Sequence, residues 1–217
     1  MHIFLIRHGE SITNTGENYV HRLPDHMVSL TEQGKLQAQK AGEWLYDYCV
    51  KNNIDLTKAR IWRSPYLRTR QTSEEFNKSL KIEDIKEDIT LIERQYGLFD
   101  AMTEDEWKRK YPVEYAEHKR QCENGGWFYS RFPLGESPFD VTIRIHQFLG
   151  TISRDYEKEG IDTIFVFTHG CTLRAFLMRY FHYNPEWMDE EKNPGNCNIR
   201  EIKDYQDLGY INKDIKF

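Results

Sequence analysis

Residues 3–14 read Ile3-Phe-Leu-Ile-Arg-His-Gly-Glu-Ser-Ile-Thr-Asn14, and this stretch organises the rest of the chain. Its apolar run, which ends at Ile6, is too short for a helix and suits a buried central strand. The change to polar residues at Arg7 and His8 therefore marks the C-terminal end of that strand. Ligands of open α/β sheets bind at such ends, and the N-terminus of a following helix favours anions. The stretch predicts an anion-binding site.

The composition of the 217 residues is that of a soluble globular protein, with 39% hydrophobic and 30% charged residues. We expect one domain over residues 1–217. No apolar run could span a bilayer, no secretory signal is expected, and the four scattered cysteines form no Cys-x-x-Cys pair. These features predict a cytoplasmic protein with neither a disulfide framework nor a zinc site. The net charge of −5 argues against nucleic acid and anionic membranes as partners.

Helix and strand patterns alternate along the chain. Helices are expected from Thr31 to about Asn52, after Ser64-Pro65, from Ser137-Pro138 to Gly160, and over Leu173–Phe181. Strands are expected at Ala59–Trp62, within Ile85–Ile92 and at Ile161–Phe167, with candidate edge strands from Asn193 onward. This alternation predicts an α/β fold with a mainly parallel sheet and helices on both faces. The strand ends at residues 7–9 and 168–170 should then share one edge of the sheet.

Two segments do not follow that alternation. Residues 12–29 are expected to form a long polar loop, which makes them a candidate wall of the substrate site. Residues 98–135 show no long period, although a capping box from Thr103 to Glu106 predicts a helix that ends near Pro112. We interpret this second segment as an inserted cap. Its aromatic and basic side chains either line a pocket or pack the cap on the body, and packing is the default expectation.

The polar residues at the predicted strand ends suit phosphoryl transfer through a phosphohistidine. A neutral imidazole is nucleophilic near pH 7 when its other nitrogen donates to a fixed acceptor, and His8 is the candidate nucleophile. The guanidinium groups of Arg7 and Arg68, together with a protonated His169, match the charge on the equatorial phosphate oxygens. Glu93 is the candidate acid that protonates the leaving alkoxide.

Six blocks of the sequence resemble the histidine phosphatase superfamily on its phosphoglycerate mutase-like branch. In chain order they are Leu5-Ile-Arg-His-Gly-Glu-Ser11, Leu30-Thr-Glu-Gln-Gly34, Arg63-Ser-Pro-Tyr-Leu-Arg68, Glu93-Arg-Gln-Tyr-Gly97, Gly135-Glu-Ser137 and Phe167-Thr-His-Gly170. The resemblance implies a six-stranded, mostly parallel sheet. It assigns phosphorylation to His8, the phosphate pocket to Arg7, Arg68 and His169, and proton donation to Glu93. It also implies that Glu136 supports the pocket.

The same resemblance implies contacts with the phosphate or the substrate for five further residues, namely Ser11, Asn14, Arg94, Tyr96 and Gly170. Arg94 and Tyr96 are similar to residues of the cofactor-dependent phosphoglycerate mutases, which favours a mutase. The segment His21-Arg-Leu-Pro-Asp-His26 replaces the Gly-Trp segment of those mutases, and their long insertion is absent. Both departures favour a phosphatase.

We therefore expect a phosphatase of the histidine acid phosphatase type that hydrolyses a small phosphate ester and requires no metal or organic cofactor. One alternative is a phosphoglycerate mutase, which would need 2,3-bisphosphoglycerate as a cofactor. A second alternative is a catalytically inactive binding module. The identity of the substrate and the oligomeric state stay open.

Three other kinds of site fit the sequence less well. A cysteine phosphatase needs an arginine six residues after its thiolate, but Leu177 stands six residues after Cys171. The basic and aromatic stretch Trp62–Arg70 could suggest a nucleic-acid surface, yet the acidic chain and the helical pattern count against it. Metal-ligand spacing is not found among His2, His8, His21, His26 and His169.

Overall fold

A computed structural model describes residues 1–15 and 23–215 of the chain. Its strands are β1 (His2–Arg7), β2 (Ala59–Arg63), β3 (Ile85–Glu87), β4 (Thr163–Thr168), β5 (Ile199–Lys203) and β6 (Gln206–Tyr210). Its helices are α1 (Glu32–Lys51), α2 (Leu67–Leu80), α3 (Glu104–Lys110), α4 (Pro112–Tyr129), α5 (Pro138–Arg154), α6 (Gly170–Phe181) and α7 (Pro185–Glu190). None of the helices in these ranges is long and apolar enough to cross a membrane.

The strands form one six-stranded sheet in the order β3-β2-β4-β1-β5-β6. The first four are parallel, and β5 and β6 add antiparallel pairs beyond β1. In the pairing of β1 with β4, Arg7 lies opposite Thr168. The next residues, His8 and His169, therefore leave the sheet side by side at the C-terminal edge. This confirms the predicted α/β class and the mostly parallel sheet.

Alternate residues of β1 pack against helices on opposite faces of the sheet. Ile3 and Leu5 belong to a buried cluster that includes residues of α5 and α6. Phe4 and Ile6 belong to a second cluster that includes residues of α1 and α2. All four side chains are fully buried. A strand with two buried faces needs apolar residues at every position, which is why this segment shows no polar alternation.

Several element boundaries differ from the sequence prediction; α6, for example, begins at Gly170, before the expected Leu173, and α5 ends at Arg154, before the expected Gly160. The strand expected within Ile85–Ile92 is limited to the three residues of β3, because Asp88 caps a 3-10 turn over Ile89–Leu91. Helix α2 begins at Leu67, because Tyr66 has an extended backbone and is the N-cap residue. The helix therefore starts later than the Ser64-Pro65 pair suggests.

The cap segment is more regular than its sequence pattern predicts. The capping box from Thr103 to Glu106 is present and begins α3. Helix α4 then follows with Pro112 in its first turn, where a missing N–H costs nothing, and it extends over 18 residues. Gly126 interrupts its helical backbone with a φ of 77°. The helix predicted to end near Pro112 is therefore confirmed as α3, whereas the sequence pattern did not indicate α4.

Candidate active site

His8 follows β1 directly and is only 4% exposed. Its backbone N–H donates to the carbonyl of Thr168 at 3.1 Å, which ties it to the end of β4. Its Nδ1 atom lies 2.7 Å from the carbonyl oxygen of Gly9. Because a carbonyl can only accept, Nδ1 carries the proton and Nε2 keeps its lone pair. This is the tautomer that a nucleophilic histidine needs.

Burial and nearby cations favour the neutral form of both histidines at the sheet edge. Burial lowers the pKa of His8 well below its usual 6.5, and Arg68 and Arg7 lower it further. The ring of His169 lies 5.3 Å from that of His8, and burial followed by Arg68 lowers its pKa as well. The expected protonated state of His169 is therefore disfavoured by its surroundings. Its Nε2 atom lies 2.9 Å from Oγ of Ser64.

Arg7 and Arg68, the two arginines predicted to bind phosphate, have different hydrogen-bond partners. Arg7 donates through Nη1 to the carbonyl of Pro194 at 2.5 Å, and its buried Nε has no hydrogen-bond partner within the described ranges. Arg68 is 4% exposed and donates Nη1 and Nη2 to the carboxylate of Asp25 at 2.8 and 3.1 Å. Its Nη1 also donates to the Asp25 carbonyl at 2.7 Å. An internal carboxylate thus occupies the guanidinium fork of Arg68.

A cavity of about 370 Å³ opens beside His8. Two arginines and three carboxylates contribute to a lining that comprises Arg7, His8, Thr13, Asn14, Asp25, Arg68, Glu93, Tyr96, Phe99, Asp100, Ala101, Met102, Trp107 and Asn193. Four of the five residues predicted as catalytic, namely His8, Glu93, Arg7 and Arg68, line it. The fifth, His169, contacts the His8 ring without being part of the lining.

The loop that carries Glu93 is held by two carboxylates. One Glu93 oxygen accepts from the backbone N–H of Arg94 at 2.8 Å. The N–H of Gln95 donates to Glu136 at 3.0 Å, and Glu136 also pairs with Arg144 at 3.0 Å. Glu136 therefore fixes the backbone beside Glu93, which is the supporting position that the resemblance implies.

The predicted substrate-binding residues occupy different positions. Asn14 and Tyr96 line the cavity. Ser11 is fully buried, and its backbone N–H donates to Oδ1 of Asn14 at 3.0 Å. Gly170 begins α6, where a Cβ atom would lie 2.1 Å from Oδ1 of Asn193. Ser11 and Gly170 thus touch residues of the cavity wall from outside it.

The guanidinium group of Arg94 is buried among three aromatic side chains. It is 5% exposed, and its Cζ lies 4.2, 5.0 and 5.2 Å from the ring centroids of Phe132, Trp127 and Tyr96. It is not part of the cavity lining. Its contact with the substrate stays a prediction.

Sequence reasoning did not single out two acidic residues of the lining, Asp25 and Asp100. Asp25 belongs to the loop predicted as a substrate wall, of which residues 16–22, including His21 and Arg22, lie outside the described residues. The only signal was the position of Asp25 in the Pro-Asp-His stretch. Its partner Arg68 is 43 residues away in the chain, so no local spacing indicates the pair.

Two curated proteins match this chain along most of its length. It is 32% identical over 213 residues to the phosphoglycerate mutase-like protein AT74 of Arabidopsis thaliana, and the aligned region covers 93% of this chain and 64% of that protein. It is 24% identical over 278 residues to the broad-range acid phosphatase DET1 of Saccharomyces cerevisiae, and the aligned region covers 91% of this chain and 83% of that protein. The chain thus spans slightly less than two thirds of the Arabidopsis relative.

A solved structure shares the fold. Bacillus stearothermophilus YhfR superposes with a TM-score of 0.75 at 20% identity, over 99% of this chain and 98% of that chain. The family model of the histidine phosphatase superfamily (branch 1) matches residues 3–213, a range that includes all the blocks quoted above. The chain therefore belongs to the histidine phosphatase superfamily.

Proposed function

We propose that the protein is a phosphomonoester hydrolase of the histidine acid phosphatase type, which acts through a phosphohistidine at His8. The observation that supports this most directly is the setting of His8: it is buried, burial lowers its pKa, and its Nδ1 atom is bonded to the carbonyl of Gly9. That bond leaves Nε2 as a nucleophile beside a cavity with arginine and carboxylate groups. The substrate is a small phosphate ester.

In the first step, Nε2 of His8 attacks phosphorus and the bond from phosphorus to the ester oxygen breaks. Arg7 and Arg68 stabilise the charge on the equatorial oxygens. Glu93 gives its proton to the departing alkoxide. In the second step, Glu93 takes a proton from water, the water oxygen attacks the phosphohistidine, and inorganic phosphate leaves with His8 restored. Glu93 carries out both proton transfers, so neither step needs a metal-bound water.

The position of Arg94 favours hydrolysis over a mutase reaction. A mutase must hold an intermediate with two phosphates, which calls for cations beyond those that bind the transferred group. Arg94 is the extra cation that the resemblance suggested, but it is enclosed by Phe132 and Trp127 and does not line the cavity. Within residues 1–15 and 23–215, the lining contains two arginines, and one of them is already paired with a carboxylate.

A phosphate-release screen over sugar phosphates, glycolytic acids, nucleotides and nitrophenyl phosphate tests the proposal. A coupled mutase assay should be run in parallel, with and without 2,3-bisphosphoglycerate. We expect free phosphate without isomerisation, and acid-labile labelling of the protein that is lost in His8→Asn. Rapid interconversion of phosphoglycerates that depends on the bisphosphate would favour the mutase alternative. No turnover and no labelling would favour the binding module.

A further inference from the structure

Asp25 places a negative charge inside the cavity beside the phosphate-binding arginine. Its carboxylate forms a two-pronged pair with Arg68, and it is itself part of the lining. A bidentate pair of this kind fixes both partners and offsets part of the charge of the arginine. The face of the cavity near Asp25 is therefore less cationic than the two arginines alone would suggest.

A second carboxylate reinforces this acidic face. Asp100 lines the same cavity and also an adjoining hollow of about 240 Å³, and Asp25 and Tyr96 are shared by both as well. Burial raises the pKa of Asp100, and the negative charge of Asp25 raises it further. A carboxyl group in that position gains stability as an anion when a cation comes near. The shared wall is thus suited to a positive charge and unsuited to a second negative one.

Three aromatic side chains line the same cavity as Asp25 and Asp100. Tyr96 is 37% exposed, and Phe99 stacks on Trp107 with ring centroids 4.7 Å apart. All three line the cavity. Aromatic faces next to carboxylates attract organic cations, because the ring quadrupole and the carboxylate charge act in the same direction. Quaternary ammonium groups are recognised by this combination.

On the basis of the proposed phosphatase activity, we propose that the alcohol part of the preferred substrate carries an ammonium group, which Asp25 and Asp100 select. Phosphate esters that carry a carboxylate or a second phosphate close to the ester are disfavoured by the same two residues. Asp25 is thus a specificity-determining residue, while His8 and Glu93 perform the chemistry.

The test compares kcat/KM for three esters: phosphocholine, its uncharged isostere 3,3-dimethylbutyl phosphate, and 3-phosphoglycerate. We expect wild-type protein to prefer phosphocholine over the isostere by about tenfold, since a desolvated ammonium interacts strongly with aromatic and carboxylate groups. Asp25→Asn should reduce this preference about fivefold and improve the relative rate with 3-phosphoglycerate. Asp25→Glu should keep the preference. Asp47→Asn, an exposed position on α1 outside the cavity lining, is the matched control for net charge and should change nothing.

The ratio between esters separates this role from a purely structural one. Loss of the pair with Arg68 alone would change all three esters by the same factor, and an unchanged ratio in Asp25→Asn would overturn the inference. If that variant does not fold, Asp100→Asn gives the same comparison. Wild-type protein that hydrolyses nitrophenyl phosphate but treats phosphocholine and its isostere alike would overturn this inference only. Absence of any phosphate release, nitrophenyl phosphate included, would overturn the proposed function with it.

Discussion

His8 is the residue on which the proposed chemistry depends most. None of the residues in the described ranges forms a hydrogen bond with its Nε2 atom, and its Nδ1 contact is with the adjacent Gly9. We expect His8→Ala to lower kcat by at least about a thousandfold, because the covalent step loses the histidine that lines the described part of the cavity. The melting temperature should change by only a few degrees. Residual activity close to that of wild type would remove His8 as the nucleophile.

The loss of rate on replacing Glu93 should depend on how strongly the leaving group requires a proton. A nitrophenolate leaves without protonation, whereas an alkyl alkoxide requires a proton in the transition state. We therefore expect Glu93→Gln to reduce kcat/KM about a hundredfold for alkyl phosphates and only a few-fold for nitrophenyl phosphate, because kcat/KM reports the first step, in which the leaving group departs. The measurement is kcat/KM for both esters on the same preparation, since the second step, in which Glu93 acts as a base, is common to both. Equal losses would contradict the role of Glu93 as an acid.

At the scale of elements, the site depends on close contact between the loop after β1 and the first turn of α1. A Cβ atom at Gly34 would lie 2.0 Å from the carbonyl oxygen of Glu10, so any side chain there must push the loop away. We expect Gly34→Ala to cost about 3 kcal/mol of unfolding free energy, the range found for overpacked cores. It should also reduce kcat, because the displaced loop adjoins His8.

The matched control for this prediction is Gly125→Ala in α4. A Cβ atom at Gly125 has no heavy atom within 4 Å, and alanine has the higher helix propensity. This variant should therefore be neutral or more stable by up to about 1 kcal/mol. Urea unfolding of both variants gives the comparison. A Gly34→Ala protein as stable as wild type would show that the loop after β1 can shift without cost.

These elements also show what the sequence could predict. The runs at Ile3–Ile6 and Ile164–Phe167 are buried on both faces, so their apolar composition alone indicates central strands. Helix α4 has little amphipathic character and contains Gly125 and Gly126 near its end, so its sequence shows no helical period. The pair of Asp25 with Arg68 depends on tertiary contact between a loop and a helix start, which no local pattern reports.

For the whole molecule, the buried histidines predict how stability depends on pH. Burial lowers the pKa of His8 and His169 well below 6.5, so the folded protein stays unprotonated at pH values where the unfolded chain binds a proton at each site. When the unfolded state binds more protons, stability falls as the pH falls. The loss begins near pH 6.5 and continues down to the folded-state pKa of each group. It amounts to at most about 1.4 kcal/mol per pH unit for each histidine.

In the pH window between about 6.5 and 4.5, His118, whose pKa burial also lowers, adds a loss of the same sign, so the contribution of His169 is measured as the difference between wild type and variant. Acidic groups with lowered pKa values, such as Glu87 and Glu201, add their own loss of stability only at lower pH. Urea unfolding across the window gives the free energy of unfolding at each pH. The slope of this free energy against pH should be smaller in His169→Gln than in wild type, because one group that binds a proton on unfolding is removed. Above pH 7.5 the free energies of unfolding of wild type and variant should change with pH in parallel, since His169 is unprotonated there in both the folded and the unfolded chain. A variant with the full wild-type slope between pH 6.5 and 4.5 would mean that His169 is already protonated in the folded protein, and it would restore the cationic role first expected for it.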